Sequence, residues 1–189
     1  MELVLDITVI FAHIMTVFFA AKTHRWAWLF SLLSCGIMAY FFLRDHLFVS
    51  SIYNAYGAVM AIIGFCSWKR VAEENEKSIR WSNPVWTILT LAALTAIIFT
   101  IDKNISHKPF TDSICTSMNI IATFLLVRKD INAWLLWIVT DTLYIIMGIT
   151  DGSIRYILIY GVMLGLAIFA LINYIRSWKN FHKSSPVKG

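Results

Sequence analysis

The sequence predicts an all-α membrane protein with seven transmembrane helices, and three observations lead there. Hydrophobic residues make up 59% of the 189-residue chain and charged residues 14%, against roughly 45–50% and about 25% in soluble domains. A soluble fold of this length could not hide so much apolar surface. Seven apolar runs approach the roughly 20 residues that a helix needs to cross a bilayer, at about 3–21, 26–43, 47–68, 84–101, 111–127, 131–149 and 154–175. The 16 Lys and Arg are also unevenly placed: 12 fall in the connectors after the first, third and fifth runs or in the C-terminal tail, and 4 (Arg44, Lys103, Lys108 and Arg155) fall on the other side. By the positive-inside rule the C-terminus is cytoplasmic and the N-terminus outside, which an odd number of spans requires. A soluble enzyme, a disordered tail and a secreted disulfide scaffold are excluded.

The first run begins directly after Glu2, with no basic stretch before it and no small-residue cleavage site, so it is expected to be a retained span. The connectors Lys22-Thr23-His24-Arg25 and Arg44-Asp45-His46 are so short that the first three runs must be antiparallel neighbours. The third run carries Tyr53, Asn54, Tyr56 and Gly57 and closes at Trp68. The 69–83 loop mixes both charges and leads into Pro84, a residue suited to the first turn of a helix. The fifth run carries Asp112, Thr116, Asn119 and Thr123, which share a stripe about 60° wide and are expected to face the protein interior. Asp112 suits a capping role in its first turn. The sixth run is the richest, and the seventh carries Tyr160.

Shifting the chain by 106 residues brings Trp28-Leu29 onto Trp134-Leu135, Arg44-Asp45 onto Thr150-Asp151, and Trp68 onto Tyr174. The expected organisation is therefore 3+1+3: a three-helix repeat over 1–68, then loop, linker helix and outer loop over 69–109, a second repeat over 110–178, and a cytoplasmic tail over 179–189. A single linker helix gives both copies the same orientation. Parallel repeats of this kind are a transporter design, with the substrate site near the midplane. Asn54 falls on Tyr160 under the same shift, so both are expected to project toward the pseudo-axis and bind substrate.

In the sixth run, Trp134, Trp137, Asp141 and Tyr144 follow at steps of three, four and three and share a stripe about 80° wide. Two indoles, a carboxylate and a phenol on one face suit a flat cationic ring. Each indole contributes roughly 0.5–2 kcal/mol of cation–π attraction, and the carboxylate acts in a low dielectric. The bland alternative makes Trp134 and Trp137 interfacial belt residues. Asn119, deep in the fifth run with both donor and acceptor, is a further substrate-binding candidate.

The net charge of +5 does not point to nucleic acid, because the basic residues sit in clusters between apolar runs. Cys35, Cys66 and Cys115 are odd in number and far apart, so no disulfide or metal spacing is present. No phosphate-binding glycine motif occurs, no cofactor is expected, and a small-molecule substrate within the lipid bilayer is the expected partner. An intramembrane enzyme is the main alternative class, but Asp112 and Asp141 lack a paired-aspartate context. A scaffold has no need of a carboxylate and two indoles on one buried face.

Phe110-Thr111-Asp112-Ser113, Asn119, Arg128-Lys129 and Asn132-Ala133-Trp134-Leu135-Leu136-Trp137 together resemble the signature of PnuC-type vitamin transporters. Gly64-Phe65-Cys66-Ser67-Trp68 is similar to that family's Gly-aromatic-x-x-Trp close. The resemblance covers most of the chain and is strongest over 110–160. It implies a SWEET-like seven-helix bundle in a bacterial inner membrane. It also implies facilitated diffusion of an unphosphorylated vitamin, most often nicotinamide riboside and otherwise thiamine, made one-way by a separate cytoplasmic kinase. A homotrimer is implied as well. Nicotinamide riboside members of the family typically carry Gln where this chain has Asn54, and some carry Asn where it has Asp141.

Overall fold

The computed structural model describes residues 2–44, 48–103 and 109–183. Eight helices follow in order: α1 (Glu2–Ala21), α2 (Trp26–Arg44), α3 (Phe48–Ser67), α4 (Ala72–Glu76), α5 (Pro84–Asp102), α6 (Pro109–Val127), α7 (Asn132–Thr150) and α8 (Ile154–Lys183). Among the described residues the only β feature is an isolated parallel bridge between Arg80 and Asp130. Each expected run is a helix. Two differences stand out. The short α4 lies inside the charged 69–83 loop, and α8 runs to Lys183, past the expected end of the seventh run at about 175 and of the second repeat at 178. No Gly or Pro interrupts the chain between Gly165 and Pro186, so nothing in that stretch breaks the helix. Asp45 of the repeat comparison and the 104–108 part of the outer loop lie outside the described residues.

Four helices among the described residues are long and apolar enough to cross a membrane, over Pro84–Ile101, Pro109–Val127, Asn132–Thr150 and Ile157–Phe181. Shorter apolar helical stretches cover Ile7–Ala21, Trp26–Phe41 and Ile52–Ser67. The chain divides into two compact units, Met1–Ile79 with Phe169–Gly189, and Arg80–Ile168.

In the first unit the core is aromatic. Trp28 and Trp68 are both 2% exposed and meet edge to face at 90°, their centroids 5.3 Å apart. Gly64 makes this possible, because a Cβ at that position would overlap the Trp28 indole. The Gly64-to-Trp68 close therefore has a packing reason. Tyr174 is fully buried and donates its hydroxyl to the Ala20 carbonyl at 3.2 Å.

In the second unit, α5 begins with Pro84 after Asn83, whose side-chain oxygen accepts from the Val85 N–H at 3.0 Å. That is the expected combination of an N-cap with proline in the first turn. None of the apolar window of α5 is buried, as befits a helix whose surroundings are lipid.

The turns from α1 to α2 and from α6 to α7 are built alike, 106 residues apart. Thr23 and Lys129 are the two non-glycine residues with positive φ among the described residues, at 52° and 59°. Thr23 N–H donates to Ala20 O at 2.9 Å and His24 N–H to Phe19 O at 2.9 Å. The partners one repeat on are Lys129 N–H to Leu126 O at 2.8 Å and Asp130 N–H to Leu125 O at 3.0 Å. Both are Schellman closures, which place the residue after the helix in the left-handed region. The next helix then starts in the same way in each. His24 Nδ1 accepts from Trp26 N–H at 3.3 Å, and Asp130 Oδ1 accepts from Asn132 N–H at 2.9 Å.

The 69–83 loop braces both turns. In the first unit the Thr23 hydroxyl donates to Ala72 O at 3.0 Å, and buried Asn75 donates from Nδ2 to Thr23 O at 2.8 Å and to Lys69 O at 3.0 Å. In the second, Arg80 N–H donates to Lys129 O at 3.1 Å and Ile131 N–H to Arg80 O at 3.0 Å. Asp130 Oδ2 accepts from Ser82 N–H at 3.2 Å, while Asn132 Nδ2 donates to Ser82 O at 3.0 Å.

Candidate functional site

The second unit carries six of the seven expected site residues: Asn119 on α6, Trp134, Trp137, Asp141 and Tyr144 on α7, and Tyr160 on α8. Asn54, half-buried on α3, belongs to the first unit.

The Lys129–Asn132 turn sets where α7 begins, and so the direction in which its first two turns point. Trp134 is 0% exposed, which rules out a belt position at the headgroups. It meets Trp137 at a centroid distance of 5.2 Å and an interplanar angle of 61°. Trp137 itself is half-buried. One turn further, Asp141 is 8% exposed and has no hydrogen-bond or ion-pair partner among the described residues. Burying a carboxylate costs several kcal/mol unless something meets it, and ionisable groups inside a membrane span mark substrate or ion paths. Tyr144 completes the stripe and stacks on Tyr160 of α8, with centroids 4.4 Å apart and planes 22° apart. Stacked rings at that spacing form a flat apolar wall.

Thr140 of α7 meets α6 directly, its hydroxyl 3.5 Å from Met118 Sδ. The helices run antiparallel through their tight turn. The residue after each contact, Asn119 and Asp141, therefore turns to the same side of the pair, about 100° from the packed faces. The side-chain amide of Asn119 has no hydrogen bond among the described residues.

The α6 stripe is placed differently from expectation. Asp112, Thr116, Asn119 and Thr123 are half-buried, and the fully buried polar positions beside them are Ser113 and Ser117. The serines can be buried because each returns its hydroxyl to the backbone one turn back, to Pro109 O at 2.5 Å and Ser113 O at 2.7 Å. Asn119 has no such local outlet. Asp112 lies three residues inside α6, in the first turn and not at the cap, where its charge suits the positive end of the helix dipole. Sequence reasoning missed Asp130, Asn132 and Ser82 as the residues that hold the start of α7. The Asp-x-Asn spacing after a basic pair was the available signal.

Apolar helices of spanning length joined by tight turns define a multi-pass membrane protein, here with a buried carboxylate on α7. The chain belongs to the nicotinamide mononucleotide transporter family, whose family model matches residues 3–180. It is similar to the nicotinamide riboside transporter PnuC of Escherichia coli K12, 23% identical over 186 residues that cover 80% of this chain and 74% of the relative. The transporter of the same name from Shigella flexneri matches to the same extent. Its fold is similar to that in a crystal structure of the vitamin B3 transporter PnuC, with a TM-score of 0.70 and 21% identity, covering 94% of this chain and 83% of that one.

Proposed function

We propose that the protein carries nicotinamide riboside across a bacterial inner membrane by facilitated diffusion, the pyridinium ring passing along the α7 stripe. The observation that carries this reading is Asp141, a buried carboxylate without a partner on the same helix face as two indoles and a stacked tyrosine pair. A cationic aromatic ring would be neutralised by Asp141 and flanked by Trp137 and Tyr144, with the fully buried Trp134 backing Trp137. The stripe holds no Lys or Arg, so a substrate phosphate would face Asp141 with no counter-charge. This favours the riboside over its phosphate ester. The names of the relatives support the same substrate.

The further parts of the reading are a seven-span 3+1+3 bundle with the N-terminus outside and the C-terminus cytoplasmic, a homotrimeric assembly, and a cytoplasmic kinase that traps the arriving substrate. Recurrence of the α1–α2 turn at α6–α7 supports the repeat. Helix starts support it too, since α2 and α7 begin at Trp26 and Asn132, and α3 and α8 at Phe48 and Ile154. Asn54 enters as the repeat partner of Tyr160, and its replacement by Ala is expected to weaken binding.

Thiamine, whose thiazolium is also a cation, is the second reading, favoured by the same carboxylate. The test is equilibrium binding of purified protein to nicotinamide riboside, thiamine and riboflavin side by side. Tightest binding of nicotinamide riboside is expected, with neutral riboflavin weakest. Tighter thiamine binding would move the assignment to the second reading, and binding of none of the three would end it.

A further inference from the structure

In the first unit, a cavity of about 360 Å³ opens where α1 ends at Ala21, between the Lys22-Thr23 turn, α4 and the late turns of α8. Its polar lining is Lys22, Thr23, Glu76, Asn173, Arg176 and Ser177. Asn173, Arg176 and Ser177 stand at i, i+3 and i+4 and so share one helix face. Among the described residues, the side chains of Glu76, Asn173, Arg176 and Ser177 make no hydrogen bond or ion pair with any other group. Lys22 holds its ammonium 4.2 Å over the Phe18 ring at the rim. Thr23 is already committed to the Ala72 carbonyl. Four uncommitted polar side chains, including a cation and an anion, thus share one concavity.

The level of this cavity along the helices narrows the choice of ligand. Ala21 is the last residue of α1, and Trp178 and Lys179 follow Arg176 and Ser177 on α8. Tryptophan beside lysine and arginine at the end of an apolar span marks the headgroup layer. At that depth the abundant anion is a lipid phosphodiester.

We propose that this cavity binds the headgroup of a phospholipid whose phosphodiester carries a primary ammonium. Arg176 donates to the phosphate oxygens in the geometry that guanidinium groups favour, with Lys22 adding charge from the rim. Glu76 accepts from the headgroup ammonium, which places both charges of a zwitterion against opposite charges. Asn173 and Ser177 supply the remaining hydrogen bonds. A quaternary choline headgroup has no N–H to give Glu76, and a glycerol headgroup has no cation.

The test is native mass spectrometry of the full chain in detergent, with phosphatidylethanolamine, phosphatidylcholine or phosphatidylglycerol added at equal amounts. The ethanolamine lipid is expected to be retained about tenfold more strongly than either other. Arg176→Gln should abolish that retention, and Glu76→Gln should reduce the ethanolamine lipid to the level of the glycerol lipid. Asn173→Ala, which changes no charge, should weaken all three lipids together. Unchanged retention in Arg176→Gln, with melting temperature preserved, would overturn the site. Equal retention of ethanolamine and choline lipids in wild type and Glu76→Gln would overturn the role given to the ammonium. Soluble glycerophosphoethanolamine separates the sources. It should displace the bound lipid only at concentrations far above the lipid's own, and displacement at equal concentration would make the ligand a free phosphate ester and overturn the lipid assignment.

Discussion

Asp141 has no partner among the described residues and little contact with solvent, so whatever meets it in the working protein must compensate its burial. A cation does this more fully than a neutral hydrogen-bond donor. Asp141→Asn keeps the shape and the acceptor while removing the charge. It should weaken binding of a cationic substrate by more than tenfold, about 1.4 kcal/mol, and change binding of a neutral analogue of the same shape much less. Trp137→Ala should weaken both, because ring contact serves either ligand. Equal losses in Asp141→Asn would reduce the carboxylate to an acceptor, and no loss for either would place it outside the site. In the first unit, Gly64 offers a test of packing alone. Gly64→Ala puts a methyl group into the Trp28 indole, and overpacking of this kind costs about 1–3 kcal/mol. Thermal denaturation should show a clear drop for Gly64→Ala and none for Gly36→Ala, since nothing lies within 4 Å of a Cβ at Gly36.

The helices were legible in the sequence because an apolar run of spanning length has few alternatives, and Pro84 marked the start of α5 to the residue. The phase of α7 was legible too, because steps of three and four keep Trp134, Trp137, Asp141 and Tyr144 on one side of any helix. What periodicity could not convey was depth. It left Trp134 open to a belt role, and the packing against Trp137 buries it completely. Nor could it convey that Thr123 of the same stripe satisfies its hydroxyl locally, at Asn119 O. The bracing of the two turns was illegible for a different reason. Asn75 reaches Thr23, 52 residues away, and Asn132 reaches Ser82, 50 residues away, and no local pattern reports such a partner. The Ala-Glu-Glu-Asn-Glu stretch of α4 reads as a charged connector, yet it delivers Asn75 to a fully buried position. Thr23, a β-branched residue in the left-handed region, is strained by itself, and Asn75 supports it through its carbonyl. Asn75→Ala should therefore lower stability by about 3 kcal/mol or more, since it removes three hydrogen bonds at about 1–3 kcal/mol each. Limited proteolysis should cut the 69–83 loop faster in this variant. An unchanged melting temperature and cleavage rate would mean that the loop does not brace the turn.

On the scale of the whole molecule, two independent features bear on how the chain is threaded. The first is the recurrence of one turn geometry after 106 residues, with a single long helix, α5, between the two copies. In the proposed 3+1+3 arrangement, an odd number of spans from α1 to α6 would give both copies of the turn the same direction. The second is charge, with 12 of 16 Lys and Arg assigned to one side. The proposed threading puts the 69–83 loop and the residues that follow α5 on opposite faces of the membrane. Accessibility can test this with one probe on each side of that helix. The exposed Cys66 and the native Cys35 and Cys115 are first replaced by Ser to remove background. Glu74→Cys and Lys103→Cys then report the two connectors, since both positions are exposed. A membrane-impermeant thiol reagent added to intact cells should label Lys103→Cys and spare Glu74→Cys until the membrane is opened. The opposite pattern would invert the orientation while keeping α5 as a span. Labelling of both from outside would mean that α5 does not cross, and the 3+1+3 arrangement would fall with it, because the two turns would no longer be related by an odd linker. Tags at the two termini complete the test: opposite accessibility is expected for seven spans, and exposure of both on one side would make the count even.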